Sequence, residues 1–141
     1  MGFSLVAAAA IIGVSSLMVI ELLTGAVLPT LSEVNDSYDD MKNRAINQVQ
    51  TDINTTAIYT IPNGSNYDLN ITVENIGSIT LETDHFNILI NGTNRQFSCS
   101  HSYLYPERKI YFTVNNLSGT GTKRLKVITN NGISDYYEYT V

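Results

Sequence analysis

The stretch LNITVENIGSITLETDHFNILING, residues 69–92, decides the fold of this chain. Apolar side chains alternate with polar ones at both of its ends, at positions 69, 71 and 73 and again at 86, 88 and 90. A period of two is typical of strands that bury one face. The closing Asn91-Gly92 dipeptide favours a tight turn. The stretch therefore predicts successive antiparallel strands.

The same alternation continues along the rest of the chain after residue 55. It recurs in the runs 58–61, 69–73, 86–90, 97–99, 110–114, 125–127 and 137–141, which turn residues interrupt. Turn signals at intervals of roughly eight to twelve residues predict an immunoglobulin-like antiparallel β-sandwich of about seven or eight strands. The Cys, Trp and Cys signature of antibody domains is absent, because the chain has one Cys and no Trp.

The N-terminal segment has a different character. Residues 3–20 carry no charged side chain, and the apolar run continues past Glu21 to Pro29. At about 1.5 Å per residue, a helix of this length crosses a hydrocarbon core of about 30 Å. Residues 1–29 are therefore interpreted as an uncleaved membrane anchor. A cleaved signal peptide, which has a shorter apolar region behind basic residues, and a filament-core helix are the alternatives.

Glu21 admits two interpretations. In the favoured interpretation, its carboxylate lies at the end of the apolar run, near the far membrane surface, and reaches water. In a filament the same carboxylate would instead pair with a neighbouring subunit, because burying it unpaired is costly.

Residues 30–54 are predicted to form an amphipathic helical stalk, with Pro29 kinking or restarting the helix. Apolar side chains recur at steps of three and four, which is a helical stripe, at Leu31, Val34, Tyr38, Met41, Ala45, Val49 and Ile53. Packing of this stripe on the chain's own β domain is favoured over pairing with another copy. The fold class is thus mainly β with one long N-terminal helix, and the β domain covers residues 55–141.

N-glycosylation sequons indicate an exported domain. They all follow the anchor, at Asn35, Asn54, Asn63, Asn70, Asn91 and Asn116. The alternative is that a domain rich in Asn and Thr produces such triplets by composition alone.

Composition and charge narrow the functional class. A net charge of −5 with only 8 Lys and Arg residues argues against a nucleic-acid partner. The β domain has two basic clusters, one formed by Arg108 and Lys109 and the other by Lys123, Arg124 and Lys126. They are interpreted either as solvated strand ends or as contacts for an acidic surface protein.

No catalytic motif or cofactor signature is present. Cys99 and His101 could be metal ligands or a nucleophile and its base, but a structural zinc site usually needs four protein ligands. A buried apolar thiol beside an exposed imidazole is favoured. His85 is expected to cap or flank a turn. The sequence therefore predicts a protein that is not an enzyme and that holds no metal or cofactor.

Three stretches resemble a known family. They are MGFSLVAAAAIIGVSSLMVIELLTGAV (1–27), residues 69–92, and RLKVITNNGISDYYEYTV (124–141). Together they resemble the archaellum proteins F and G of archaea, in which an N-terminal hydrophobic helix precedes a β-sandwich. The N-x-G-S/T-x-x-L turn and the N-G before the last strand are part of this likeness. The MGFS start is closer to F than to G.

The resemblance implies a structural role without catalytic residues. An F-like protein would be a stator component anchored in the cell membrane, with its β domain in the pseudoperiplasm bound to the surface-layer protein. Its expected partners are that protein, a G-like archaellum protein, membrane lipid and further copies of itself. The alternative is a G-like or archaellin-like filament subunit that assembles through the N-terminal helix, which the lack of a short basic leader disfavours.

Overall fold

The computed structural model describes residues 2–141, and the chain divides between Asn43 and Arg44 into two compact units. A helical segment precedes ten strands. The helical elements are α1 (Gly2–Leu22), a π-helical turn (Leu23–Val27) and α2 (Leu28–Gln50). By length and composition this helix suffices to cross a membrane.

The helix continues through Pro29 because a wider turn precedes the proline. The Leu28 amide donates to the Leu23 carbonyl, five residues back, which is the π pattern. Proline has no amide hydrogen, and its ring would clash with the carbonyl of Gly25 in a regular α-helix. The hydrogen-bond pattern therefore changes just before Pro29, where a kink or restart was predicted, and the helix continues as α2. The helix also ends at Gln50, earlier than the predicted residue 54.

The apolar stripe of α2 is exposed. No residue of α2 is buried, and Leu31, Tyr38 and Met41 are between 59% and 62% exposed. Val49 is 87% exposed. Ile53, at the end of the stripe, is buried in the first strand, and the packing of the rest of the stripe stays a prediction.

The strands form an antiparallel sandwich, as predicted. The first sheet has the order β1-β2-β8-β6, the second β10-β9-β4-β5, and β3 pairs with β7. The strands are β1 (Ile53–Asn63), β2 (Asn66–Asn75), β3 (Leu81–Glu82), β4 (Asn87–Ile90), β5 (Thr93–Arg95), β6 (Ser98–Cys99), β7 (Tyr103–Leu104), β8 (Lys109–Leu117), β9 (Thr122–Ile128) and β10 (Ser134–Thr140). The count exceeds the predicted seven or eight because β3, β5 and β7 are too short to show a period.

The alternating residues of the deciding stretch form the core. The apolar positions 69, 71, 73, 86, 88 and 90 are all at most 4% exposed. Phe112 of β8 lies at the centre, with ring centroids 5.5 Å from Phe86 and 5.3 Å from Phe97. Aromatic pairs at such distances stabilise a core beyond their buried area.

The end of α2 is held by the turn that follows β2, which we call the capping turn (residues 75–79). The Ser78 amide donates to the Gln50 carbonyl at 2.9 Å. The Ile76 and Gly77 amides both donate to the Asp52 carbonyl at 3.0 Å. The first bond satisfies a carbonyl that a helix end otherwise leaves unpaired, and the other two hold the chain just after the helix.

Asn75 organises the capping turn from inside. It is fully buried, and its Nδ2 donates to the carbonyls of Ile79 at 2.8 Å and Leu104 at 3.1 Å. Its Oδ1 accepts the Gly77 amide at 3.0 Å. The N-x-G-S/T-x-x-L turn seen in the sequence is therefore a capping device for α2.

Candidate interaction surfaces

The basic residues lie on two separate surfaces. Arg108 and Lys109 stand at the start of β8 in the first sheet, where the Lys109 ammonium is 3.5 Å from the Glu74 carboxylate. Lys123, Arg124 and Lys126 belong to β9 in the second sheet. The two predicted clusters therefore belong to different sheets.

Neighbouring residues of β9 point to opposite sides. The Lys123 ammonium donates to the Ser118 carbonyl at 2.6 Å and lies 5.4 Å from the ring centroid of Tyr67. Arg124 faces the outer side, where its guanidinium donates to Glu138 Oε1 at 2.8 and 3.2 Å. The Lys123 ammonium therefore has different partners from the Arg124 guanidinium, although Lys123 also lines the depression described next.

A shallow depression of about 490 Å³ lies on the outer face of the second sheet, and we call it the β9 groove. Its lining includes Leu89, Arg124, Lys126, Tyr136 and Glu138. The Lys126 ammonium is 5.0 Å from the centroid of the Tyr136 ring. Its hydrogen bond lowers the pKa of the exposed Tyr136 phenol, and its positive charge adds to that effect. Because Glu138 already pairs with Arg124, Lys126 is the cation best placed to meet an anionic group.

The outer face of the first sheet carries exposed tyrosines. Tyr59 of β1 lies opposite Asn70, Asn70 lies opposite Thr113, and Tyr111 lies opposite Thr72. Tyr59 is 64% and Tyr111 58% exposed. Amphipathic tyrosines are enriched at protein interfaces. The sequence reasoning missed this surface, although both tyrosines occupy the outward positions of alternating strands.

The sequons differ in accessibility. Asn35, Asn54, Asn63, Asn91 and Asn116 are exposed, whereas Asn70 is half-buried. The Asn70 Oδ1 accepts the Thr113 hydroxyl at 3.0 Å in the middle of the first sheet.

Two of these asparagines have a structural role of their own. Asn91 and Asn116 have φ angles of 49° and 59°, a left-handed conformation that Asn tolerates better than most residues. The Asn91 Oδ1 accepts the Arg124 amide at 2.9 Å, and the Asn116 Oδ1 accepts the Asn66 side-chain amide at 2.6 Å. Backbone geometry, at a turn for Asn91 and beside a register shift in β8 for Asn116, therefore accounts for asparagine at both positions.

The thiol of Cys99 contacts main chain rather than imidazole. It is half-buried instead of buried, and it donates to the His101 carbonyl at 3.1 Å. The exposed His101 ring instead contacts the Ser100 hydroxyl at 3.1 Å. Among residues 2–141, no group of three or more His, Cys, Asp and Glu side chains is arranged to hold a metal ion.

The remaining predicted residues have local surroundings. His85 lies in the short 3-10 turn after β3, with its Nδ1 3.2 Å from the Glu82 carboxylate, as expected for a residue that flanks a turn. Glu21 is exposed near the end of α1. Both interpretations of Glu21 stay predictions.

Comparison with known proteins agrees with the resemblance found in the sequence. No family model matches the chain. The chain is 27% identical over 147 residues to the putative flagella-related protein F of Methanocaldococcus jannaschii, and the match covers 99% of this chain and 100% of the relative. The predicted resemblance to archaellum protein F is confirmed.

The sandwich fold has a counterpart among solved structures. The archaellum periplasmic stator protein FlaG from Sulfolobus acidocaldarius superimposes with a TM-score of 0.52 and 15% identity. The match covers 63% of this chain and 99% of that protein. At this identity the likeness concerns the fold alone, and it confirms the predicted fold class.

Proposed function

We propose that the chain is an F-type accessory protein of the archaellum, with a structural rather than a catalytic role. The similarity to flagella-related protein F over nearly the full length of both chains carries this proposal. The fold shared with a periplasmic stator protein of the archaellum agrees with it.

In this proposal the N-terminal helix is a single-pass anchor in the cell membrane. Its support is the fully exposed apolar surface of α1, which has no buried residue and no charge before Glu21. An apolar helix without a protein partner is stable when lipid covers it. The β domain would then lie outside the membrane, where the sequons become usable acceptors.

The β-sandwich would bind the surface-layer protein and so give the motor a fixed point. The two candidate contact surfaces are the Tyr59 and Tyr111 face of the first sheet and the β9 groove of the second. An interface centred on tyrosine would tolerate salt, whereas one centred on Arg124 and Lys126 would weaken as salt screens the charges. The salt dependence of binding thus distinguishes the surfaces.

A pull-down from envelope extract tests the proposal. The bait is the fragment Arg44–Val141, which keeps the last turns of α2 and the capping turn intact. Specific retention of the surface-layer protein is expected. Failure to retain it at both low and moderate salt would contradict the surface-layer assignment.

Variants of the same fragment then locate the binding face. Tyr59→Ala with Tyr111→Ala removes the tyrosine face, and Lys126→Ala with Tyr136→Ala removes the core of the β9 groove. If one pair of substitutions abolishes retention of the surface-layer protein and the other pair does not, the contact lies on the face that the first pair alters. His85→Ala, in the exposed turn after β3 and in neither surface, is the control.

The rival function is a G-like or archaellin-like filament subunit. The exposed apolar surface of α1 favours it, because neighbouring copies in a filament would cover this surface as well as lipid does. Assembly of the full-length chain into filaments, together with a negative pull-down, would replace the stator proposal with this one.

A further inference from the structure

A polar depression lies at one edge of the sandwich, separate from the β9 groove. Its volume is about 620 Å³. Its lining comes from residues 94–102, which lead from β5 past β6, and from Asp84, Phe86 and Asn87 around the start of β4. We call this depression the edge cleft. Its volume lies within the range of about 300–1,000 Å³ that small-molecule sites occupy.

Several polar side chains of the edge cleft are not used by the fold. Within the part of the chain that the structure describes, the side chains of Arg95, Gln96 and Asp84 make no hydrogen bond or ion pair. All three side chains are exposed. Such donors and acceptors can bind a ligand without breaking an internal bond. By contrast, the guanidinium of Arg124 in the β9 groove is already held by a carboxylate.

The kinds of polar group in the edge cleft favour a ligand rich in hydroxyl groups. Each carboxamide offers both donors and an acceptor, and those of Asn87 and Asn94 lie 3.4 Å apart, close enough to contact one ligand together. A sugar hydroxyl also donates and accepts, so neighbouring hydroxyls fit such groups. Arg95 adds a fork of donors and Asp84 a pair of acceptors. Because these two charges balance, the edge cleft favours a neutral ligand over a phosphate or a sulfate.

An aromatic ring gives the edge cleft an apolar surface. The Phe97 ring is half-buried and meets the buried Phe112 ring edge to face, with centroids 5.3 Å apart. The part of Phe97 that stays exposed lines the cleft. The face of an aromatic ring is negative and attracts C–H groups, which sugar rings carry beside their hydroxyls. A fixed aromatic ring among unused polar groups therefore suits a saccharide.

We infer that the edge cleft binds a neutral saccharide, and that this saccharide belongs to the glycan of the surface-layer protein. The inference rests on the proposed function, which brings the sandwich to that protein. The sequons of this chain support the choice of source, because a compartment that uses them would also glycosylate other exported proteins. The sandwich would then recognise sugar at its edge in addition to protein on a sheet face.

Glycopeptides test the inference with the full-length chain. Exhaustive proteolysis of the surface-layer protein destroys its folded surfaces and leaves each glycan on a short peptide. The chain, held in a detergent without a sugar head group, should bind labelled glycopeptides in a fluorescence anisotropy titration. Periodate cleaves the bond between carbons that carry neighbouring hydroxyls, so treated glycopeptides should lose their binding. Absence of binding before treatment, or unchanged binding after it, would overturn the inference.

Variants of the full-length chain locate the site. Arg95→Ala should raise the Kd for glycopeptides at least about tenfold and Gln96→Ala about threefold, as expected for lost hydrogen bonds to a charged and a neutral group. Arg44→Ala and Gln48→Ala, on the exposed surface of α2, are controls matched residue by residue and should leave the Kd unchanged. Thermal unfolding checks that the variants are folded. Equal affinities of all four variants would place the glycan elsewhere and overturn the inference.

Salt and the intact surface-layer protein separate the other outcomes. Binding of a neutral saccharide should not change between low and high salt, whereas its loss at high salt would identify an anionic ligand and overturn the inference. A chain that retains the intact protein but binds no glycopeptide would refute the edge cleft alone. A chain that binds glycopeptides through Arg95 but does not retain the intact protein would support the saccharide site and refute the surface-layer assignment.

Discussion

At the scale of single residues, Gly77 shows how tightly the capping turn approaches α2. A Cβ atom at this position would lie 2.5 Å from the Asp52 main-chain nitrogen and against the Gln50 carbonyl. Both neighbours are backbone atoms that cannot rotate away. Glycine is therefore required here by close approach rather than by an unusual φ angle.

Gly77→Ala should accordingly destabilise the fragment Arg44–Val141 by about 1–3 kcal/mol, the usual cost of overpacking. Urea unfolding measures the difference. Ser78→Ala is the matched control, because alanine keeps the main-chain amide that donates to the Gln50 carbonyl. Equal midpoints for Gly77→Ala and the parent would contradict the close approach.

Tyr139 couples stability to pH. Its side chain is 7% exposed, and its hydroxyl lies 3.1 Å from that of Tyr67. Burial, and then the hydrogen bond with Tyr67, raise the pKa of Tyr139 well above its ordinary value of 10.0. The folded state therefore keeps a proton that the unfolded chain releases above about pH 10.

Stability of the fragment should be insensitive to this group below about pH 10 and should fall above it, by at most about 1.4 kcal/mol per pH unit. Tyr139→Phe should remove that fall while costing about 1 kcal/mol at neutral pH for the lost hydrogen bond. Urea midpoints between pH 8 and pH 11 give both quantities. The exposed Tyr111→Phe serves as control, and an unchanged alkaline slope in Tyr139→Phe would refute the assignment.

At the scale of elements, the end of α2 belongs structurally to the sandwich. Ile53 is 4% exposed and pairs with Asn75, while the Thr51 hydroxyl accepts the Asn131 side-chain amide at 2.8 Å. The Asp52 carbonyl accepts two amides of the capping turn. A sandwich cut at the sequence boundary of the β pattern would lose all of these contacts.

A fragment beginning at Thr55 should thus be less stable than Arg44–Val141 by at least about 2 kcal/mol, since it loses one buried Ile and several hydrogen bonds. A fragment beginning at Asn47 retains these contacts and should resemble the parent. Chemical denaturation compares the three. Equal stability of the Thr55 and Arg44 fragments would show that the capping turn does not depend on the helix end.

At the scale of the whole molecule, occupancy of the sequons would test the proposed export of the sandwich. Asn63 stands exposed where the β1–β2 hairpin turns, and its amide makes only long contacts of 3.3 and 3.4 Å with Asp68. Asn70 is half-buried and engaged by Thr113. An acceptor must be reached by the transferring enzyme, which favours exposed turns over the middle of a sheet.

Chain isolated from its native envelope should carry a glycan at Asn63 and none at Asn70. Peptide mass spectrometry checks this site by site. Asn63→Gln should lower the intact mass by one glycan, whereas Asn70→Gln should change it only by the residue difference. A glycan on Asn70 would contradict the packing of β2 against β8, and an unmodified chain would remove the sequon support for export.

The sequence by itself determined the elements of this protein. Alternation at residues 69–73 and 86–90 located β2 and β4, and the uncharged run from Phe3 located the helix, because burial on one face leaves a local period. Turn residues separated these elements for the same local reason. The capping turn was visible as a motif, although its purpose was not.

Only the tertiary structure decided which residues meet. The pairing of Asn75 with Leu104, the separation of Arg108 from Arg124, and the outward row of Tyr59 and Tyr111 depend on strand order and register. The two-residue strands β3 and β7 exist only because they pair with each other. Local patterns encode burial and turns, whereas contacts between distant segments are fixed when the two sheets close on one core.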